Sequence, residues 1–240
     1  ERDILIIVPA DMIHKISFEE IEFDDGFFLG VKTNIVRVPC LYSLVTWFMP
    51  IYALTMGYLH KRTVYIDSHF NEKAKLLKFI LDKYISNLRF RIHNRANILR
   101  RKEFMYIYHH INVAYLPPPE GIFEDFEDFV MNPFDIEKLD LRGYLAFIDT
   151  PLALDVQESK FEQLNFANAF LLSGFQTVIA TATYLPLNTA SIFYEKFYKA
   201  LLKDRMPVNL AFNIAREELR LRGDPNWSKI FLYGNPLVKI

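Results

Sequence analysis

Two short segments carry side chains able to move protons or attack carbonyl carbon, and each follows an apolar run. One is Tyr108-His109-His110-Ile111-Asn112, after Phe104-Met105-Tyr106-Ile107. The other is Ile148-Asp149-Thr150-Pro151, closing the run Tyr144–Ile148. In an open α/β sheet, ligands and reacting groups collect at the carboxyl ends of the strands. A histidine on one strand end and an aspartate or threonine on the next supply a base with an acid or a nucleophile. Adjacent strand residues point to opposite faces, so His109 and His110 do not share one metal ion. The other histidines stand at positions 14, 60, 69 and 93, and no HExxH occurs. No metal site is expected. The GxSxG of serine hydrolases is absent, as are the GxGxxG and GxxxxGK[ST] loops that cradle phosphates, so no cofactor is expected. Cys40, between Pro39 and Leu41, is the single cysteine. It reads as a small buried hydrophobe, and a lone cysteine excludes an internal disulfide or a Cys-rich zinc site.

The elements that must position these residues follow from the apolar pattern. Ile4–Val8, Thr63–Ile66, Phe104–Tyr108, Tyr144–Ile148 and Thr177–Ala180 are short, apolar and unalternating, as strands covered on both faces are. Leu88–Ile92 and Ile230–Tyr233 are further strand candidates, and Phe27–Val31 with Asn34–Val38 reads as a hairpin or two short strands. Phe18–Phe23 is a short helix or a strand-like connection. Helix spacing marks Glu72–Leu88, with Lys73, Lys75, Lys78 and Lys83 on its wet face. It also marks Ala190–Lys203 and Val208–Arg222, the latter stopped by Gly223. Gln163–Leu172 and Asn94–Lys102 are shorter helix candidates. Strands alternating with helices predict an α/β sandwich, a mostly parallel central sheet with helices on both faces. No repeat and no Gly/Ser linker divides the chain, so residues 1–240 are expected to form a single domain.

Composition bounds the function. Lys plus Arg total 28 and Asp plus Glu 29, a net charge of -1, which argues against nucleic-acid binding. The basic residues between Arg89 and Lys102 could grip phosphate or an acidic partner, but the stretch reads rather as a solvated strand and helix surface. Phe123, Phe126 and Phe129 form either a partner-binding stripe or an amphipathic cover. Leu41–Leu59 carries no charge, but Pro50 interrupts it and Ser43, Thr46 and Thr55 are polar. No membrane span is expected there. A cytoplasmic protein fits the cysteine usage. The chain begins at Glu1 without Met, which suggests an excerpt of a longer protein.

The order of these pieces resembles the CHAT domain, a bacterial relative of caspases and separases. The opening "ILIIVPADMIHKISFEEIEFDDGFFLG" is similar to that family's first strand, "P-x-G-x-L-H-x-L-P-F" and aspartate-rich turn. "VPCLYSLVTW" is similar to its "P-S" and following helix. "FDIEKLDLRGYLAFIDT" resembles the segment leading to "L-S-A-C-E". The stretch from "NFANAF" through "ATATYLPLNTASIFYEKFYKALL" to "AFNIAREELR" resembles the run after the family's cysteine, and "WSKIFLYGNP" resembles "W-A-x-F-x-L-x-G-D-P". The resemblance spans almost the whole chain and is most specific in the C-terminal third.

It implies a caspase-like sandwich carrying a His–Cys peptidase dyad. The family histidine, ending a strand as "H-x-x-x-H-G", falls on His110 in the general-base role, with Tyr106 at the earlier His and Ile111 replacing the Gly. The nucleophile falls on Thr150, where "S-A-C-E-T-G" has become Ile148-Asp149-Thr150-Pro151-Leu152-Ala153. A thiol ionises near pH ~8.5 and becomes a thiolate beside a histidine. A threonine hydroxyl needs a stronger base and a matching oxyanion hole, and Pro151 has no N–H to offer. The reading is therefore an inactive pseudo-peptidase, a regulatory or binding module whose partner is a protein or another domain of a longer chain. The alternative is a peptidase or hydrolase using His110 with Thr150 or Asp149, or one completed by a partner chain. His110 and Thr150 are expected on neighbouring strands, facing one cleft.

Overall fold

A computed structural model describes residues 3–9, 15–39, 63–68, 71–84, 89–93, 104–111, 133–139, 141–154, 157–158 and 163–240. Its frame is one eight-stranded sheet. The strands are β1 (Ile4–Ile7), β2 (Asn34–Arg37), β3 (Thr63–Ser68), β4 (Arg89–His93), β5 (Phe104–Ile111), β6 (Arg142–Asp149), β9 (Phe175–Thr181) and β10 (Ile230–Gly234). They lie in the order β1-β2-β10-β9-β6-β5-β3-β4. Every neighbouring pair is parallel except β10 with β9. The short antiparallel pair β7 (Gln157–Glu158) and β8 (Gln163–Leu164) stands apart.

The central strands are apolar at successive positions because both faces are buried. On one side Val64, Ile66, Leu145, Phe147 and Ile179 pack against α2 (Asn71–Asp82), α5 (Leu187–Tyr198) and α6 (Val208–Leu221). On the other, Tyr65, Ala146, Ile148, Val178 and Ala180 pack against α3 (Pro133–Glu137) and α4 (Phe166–Leu172). One more helix among the described residues, α1 (Leu29–Lys32), is a single turn. The molecule is thus the expected three-layer α/β sandwich, with a mostly parallel sheet between helices.

The differences from the sequence reading are local. Residues 27–38 do not form a hairpin. Phe28 bridges Glu22, α1 follows, and β2 then runs parallel to β1. Gly30 permits this turn, since a Cβ there would lie 2.8 Å from the Glu19 Cβ. The 163–172 stretch splits into β8 and α4, with Asn165 between them accepting the Asn168 N–H at 2.9 Å as an N-cap. The helix expected from Ala190 starts at Leu187, directly after Pro186, and its end widens into a π turn over Lys199–Lys203. Cys40, the Leu41–Leu59 and Asn94–Lys102 segments and the Phe123–Phe129 stripe lie outside the described residues. Among the described residues, no helix is long and apolar enough to cross a membrane.

Candidate functional site

β5 and β6 are adjacent and parallel, so their carboxyl ends share one edge of the sheet. The register sets His110 beside Ile148 on β6 and beside Asp67 on β3. Ile111 pairs with Asp149, and Thr150 is the next residue of the chain. The backbone therefore brings His110, on β5, and Thr150, directly after β6, to the same edge of the sheet.

His109 precedes His110 on β5. It lies on the face covered by α5, fully buried, stacked on Phe147 with ring centroids 4.9 Å apart. Its Nε2 is hydrogen-bonded to the Tyr198 hydroxyl. Burial lowers its pKa from 6.5 to about 3, so the ring is neutral at physiological pH.

Thr150 is only 4% exposed. Its carbonyl accepts the Ala153 N–H at 3.0 Å, closing the 3-10 turn Pro151–Leu154. Pro151 opens that turn with its ring fixing φ and no N–H to donate.

Asp149 is engaged from several sides at this edge. Its Oδ2 meets Lys73 Nζ of α2 at 2.7 Å, both side chains being buried. The Leu185 N–H donates to Oδ1 at 3.0 Å. The Thr181 and Tyr194 hydroxyls lie at 3.5 and 3.4 Å from the same carboxylate. Lys73 Nζ also sits 3.3 Å from the centroid of the Tyr184 ring. Burial raises the Asp149 pKa against the opposing pull of Lys73, and burial lowers that of Lys73 against the opposing pull of Asp149. Tyr194 is held well above its ordinary range by burial and by the Asp149 charge. The carboxylate thus joins the end of β6 to α2, to the segment after β9 and to α5.

Lys73 corrects the sequence reading, which set it on a wet helix face with Lys75, Lys78 and Lys83. The wet face keeps those three, while Lys73 points inward. The signal was present. Leu77, Ile80 and Leu81 follow Lys73 by four, seven and eight residues, the spacing of one helical stripe. A second buried charge cluster was also missed. Glu19 accepts from Arg37 at 2.8 and 2.9 Å and lies 3.3 Å from Arg216 Nη1. Arg216 Nη2 also donates to the Gly30 carbonyl at 2.7 Å. Its partners lie up to 197 positions away in sequence, which no local pattern reports. Among the described residues, no group of three or more His, Cys, Asp or Glu side chains is placed to hold a metal.

No protein-family model matches the sequence. No curated protein matches it either. Solved structures do match. The Saccharomyces cerevisiae separase–securin complex superposes with a TM-score of 0.66 at 16% identity, covering 98% of this chain and 15% of the separase-complex chain matched. The Arg-specific cysteine proteinase gingipain R superposes with a TM-score of 0.62 at 10% identity, covering 99% of this chain and 64% of that one. The complex of Porphyromonas gingivalis RgpB pro- and mature domains gives a TM-score of 0.62 at 11% identity, over 100% of this chain and 66% of its match. The chain therefore spans a small part of the first and about two thirds of the others. At these identities the likeness defines the fold, which is the caspase-like α/β fold of these peptidases.

Proposed function

We propose that this chain is a CHAT-like domain that has lost its peptidase nucleophile and acts as a protein-binding or regulatory module. One observation carries the reading. At the carboxyl end of β6, where the family places its cysteine, Thr150 stands buried between an ion-paired Asp149 and a turn-forming Pro151. A hydroxyl there has no thiolate form, and the neighbouring proline removes one backbone donor that an oxyanion site would use. Asp149 is committed to Lys73 and to the Leu185 N–H, which leaves it poorly placed to act as an acid or base on a substrate. A protein partner is in keeping with separase, which is bound to securin in its solved structure.

The test is cleavage of a mixed peptide library by the purified chain, by Thr150→Cys and by His110→Ala. None of the three is expected to cleave. Restoring the thiol alone does not restore the donors around it, and a single oxyanion donor is commonly worth about 10²–10³ in rate. Alkylating Cys40 is expected to leave partner binding unchanged. Cleavage by the unmodified chain that disappears in His110→Ala would overturn the reading. It would favour instead a hydrolase built on His110 with Thr150, whose support is their shared edge on adjacent strands.

A further inference from the structure

Between β1 and β2 the chain forms a segment, residues 16–33, that closes on itself. The Ile21 N–H bonds the Phe18 carbonyl at 3.2 Å and the Leu29 N–H bonds the Ile21 carbonyl at 2.7 Å. The Phe23 and Thr33 N–H groups bond the Phe27 and Leu29 carbonyls, each at 2.9 Å. Among the described residues, its backbone-to-backbone bonds stay within the segment. Side chains tie it to the sheet and to α6, and two arginines dominate those ties.

Arg37, the last residue of β2, donates to both Glu19 oxygens and, at 3.1 Å, to the Ile16 carbonyl. Arg216 of α6 lies beside the same carboxylate and donates to the Gly30 carbonyl. The two guanidiniums that hold Glu19 therefore also hold a carbonyl at each end of residues 16–30. Glu19 is the buried residue of its 3-10 turn, Phe18–Glu20, and both arginine side chains are buried with it. The Phe231 ring lies 4.0 Å and the Trp227 ring 5.9 Å from the guanidinium carbons of Arg37 and Arg216. Such faces favour a cation out of water. Two guanidiniums converging on one carboxylate are the donor set of a carboxylate site. Breaking a buried ion pair leaves charges that must regain water. Here opening residues 16–30 returns them to water, so the sheet need not unfold.

We propose that residues 16–30 are a strap latched by Glu19, and that Arg37 and Arg216 form a carboxylate-binding site which the closed strap fills with its own side chain. The strap opens as a unit while the central strands stay paired, the behaviour of a local opening unit with its own internal bonds. Without the Glu19 carboxylate, a free carboxylate ion takes the same two guanidiniums. The proposal is independent of the pseudo-peptidase reading.

The experiment is native-state hydrogen exchange on the full 240-residue chain, read by mass spectrometry. The Phe23, Leu29 and Thr33 amides are expected to exchange through an opening that leaves the β6 and β9 amides protected. Glu19→Gln keeps the size of the side chain and removes its charge. It is expected to speed exchange in residues 16–33 by roughly 10- to 100-fold, the worth of hydrogen bonds to a charged group, with β6 and β9 unchanged. Glu19→Ala also leaves room for an ion. Sodium acetate is expected to slow exchange of the strap in Glu19→Ala, and sodium chloride at the same ionic strength is expected not to. Strap and central strands accelerating together, a strap unaffected by Glu19→Gln, or acetate and chloride acting alike would each overturn the proposal. If neither variant folds, the unsubstituted chain decides. A strap that opens before β6 and β9 supports the proposal, and one that opens only with them overturns it.

Discussion

Lys73 and Asp149 meet at 2.7 Å with side chains 1% and 0% exposed, so each is the reason the other is tolerated. Removing one partner of such a pair leaves an uncompensated buried charge, which typically costs about 3–5 kcal/mol. Lys73→Met is expected to lose stability in that range, measured by urea unfolding. The double variant Lys73→Met/Asp149→Asn is expected to recover most of the loss. An asparagine keeps an oxygen for the Leu185 N–H and carries no charge. A cost below about 1 kcal/mol for Lys73→Met would show that the pair does not anchor this edge. At this scale the sequence was partly legible. His109-His110 and Asp149-Thr150 stand out because chemistry-bearing residues follow apolar runs. The inward turn of Lys73 was overlooked because lysine is so seldom fully buried.

The strands were legible as elements because two covered faces force an unbroken apolar run, and the long helices because one covered face forces a stripe. The joints were less so. The Leu172–Phe175 turn depends on Gly174, whose φ is +118° and whose added Cβ would lie 1.9 Å from the Leu141 carbonyl oxygen. Both features belong to tertiary contact. Gly174→Ala has to move the chain ahead of β6 or shift β9, and it is expected to destabilise the protein by about 3 kcal/mol or more. Thermal unfolding checks this. A midpoint unchanged from that of the unsubstituted protein would mean the two segments do not approach as described. Of the two readings of residues 27–38, a hairpin or two short strands, the hairpin is absent and only the second strand forms, for a related reason. Two short apolar pieces around a turn signal fit a hairpin, whereas here the second piece returns to pair with β1 in parallel.

Stability against pH belongs to the molecule as a whole, and His109 gives it a definite sign. Its pKa is about 3 when folded and near 6.5 when unfolded. Above pH ~6.5 the ring is neutral in both states and adds no pH dependence. As the pH falls below that value the unfolded chain takes up the proton first, so stability drops. The loss runs at up to about 1.4 kcal/mol per pH unit until the folded pKa is reached. His109→Gln keeps a polar partner for the Tyr198 hydroxyl and removes the titration. The difference between the unfolding free energies of the two proteins, measured from pH 7 to pH 4, is expected to shrink or reverse as the solution becomes acidic. Parallel curves for the two would refute the assignment.

The sequence alone determined the alternation of strands and helices, the mostly parallel sheet and the layers on its two faces, because burial on one face or two writes a periodicity into neighbouring residues. It also placed the histidine pair and Asp149-Thr150 at strand ends, since apolar runs stop where the chain leaves the core. Only the tertiary structure decided that the carboxylate of Asp149 belongs to Lys73 and that Glu19 gathers Arg37 and Arg216. Those pairings join residues 76, 18 and 197 positions apart. They depend on strand order and helix placement, which the periodicity of a single segment does not encode.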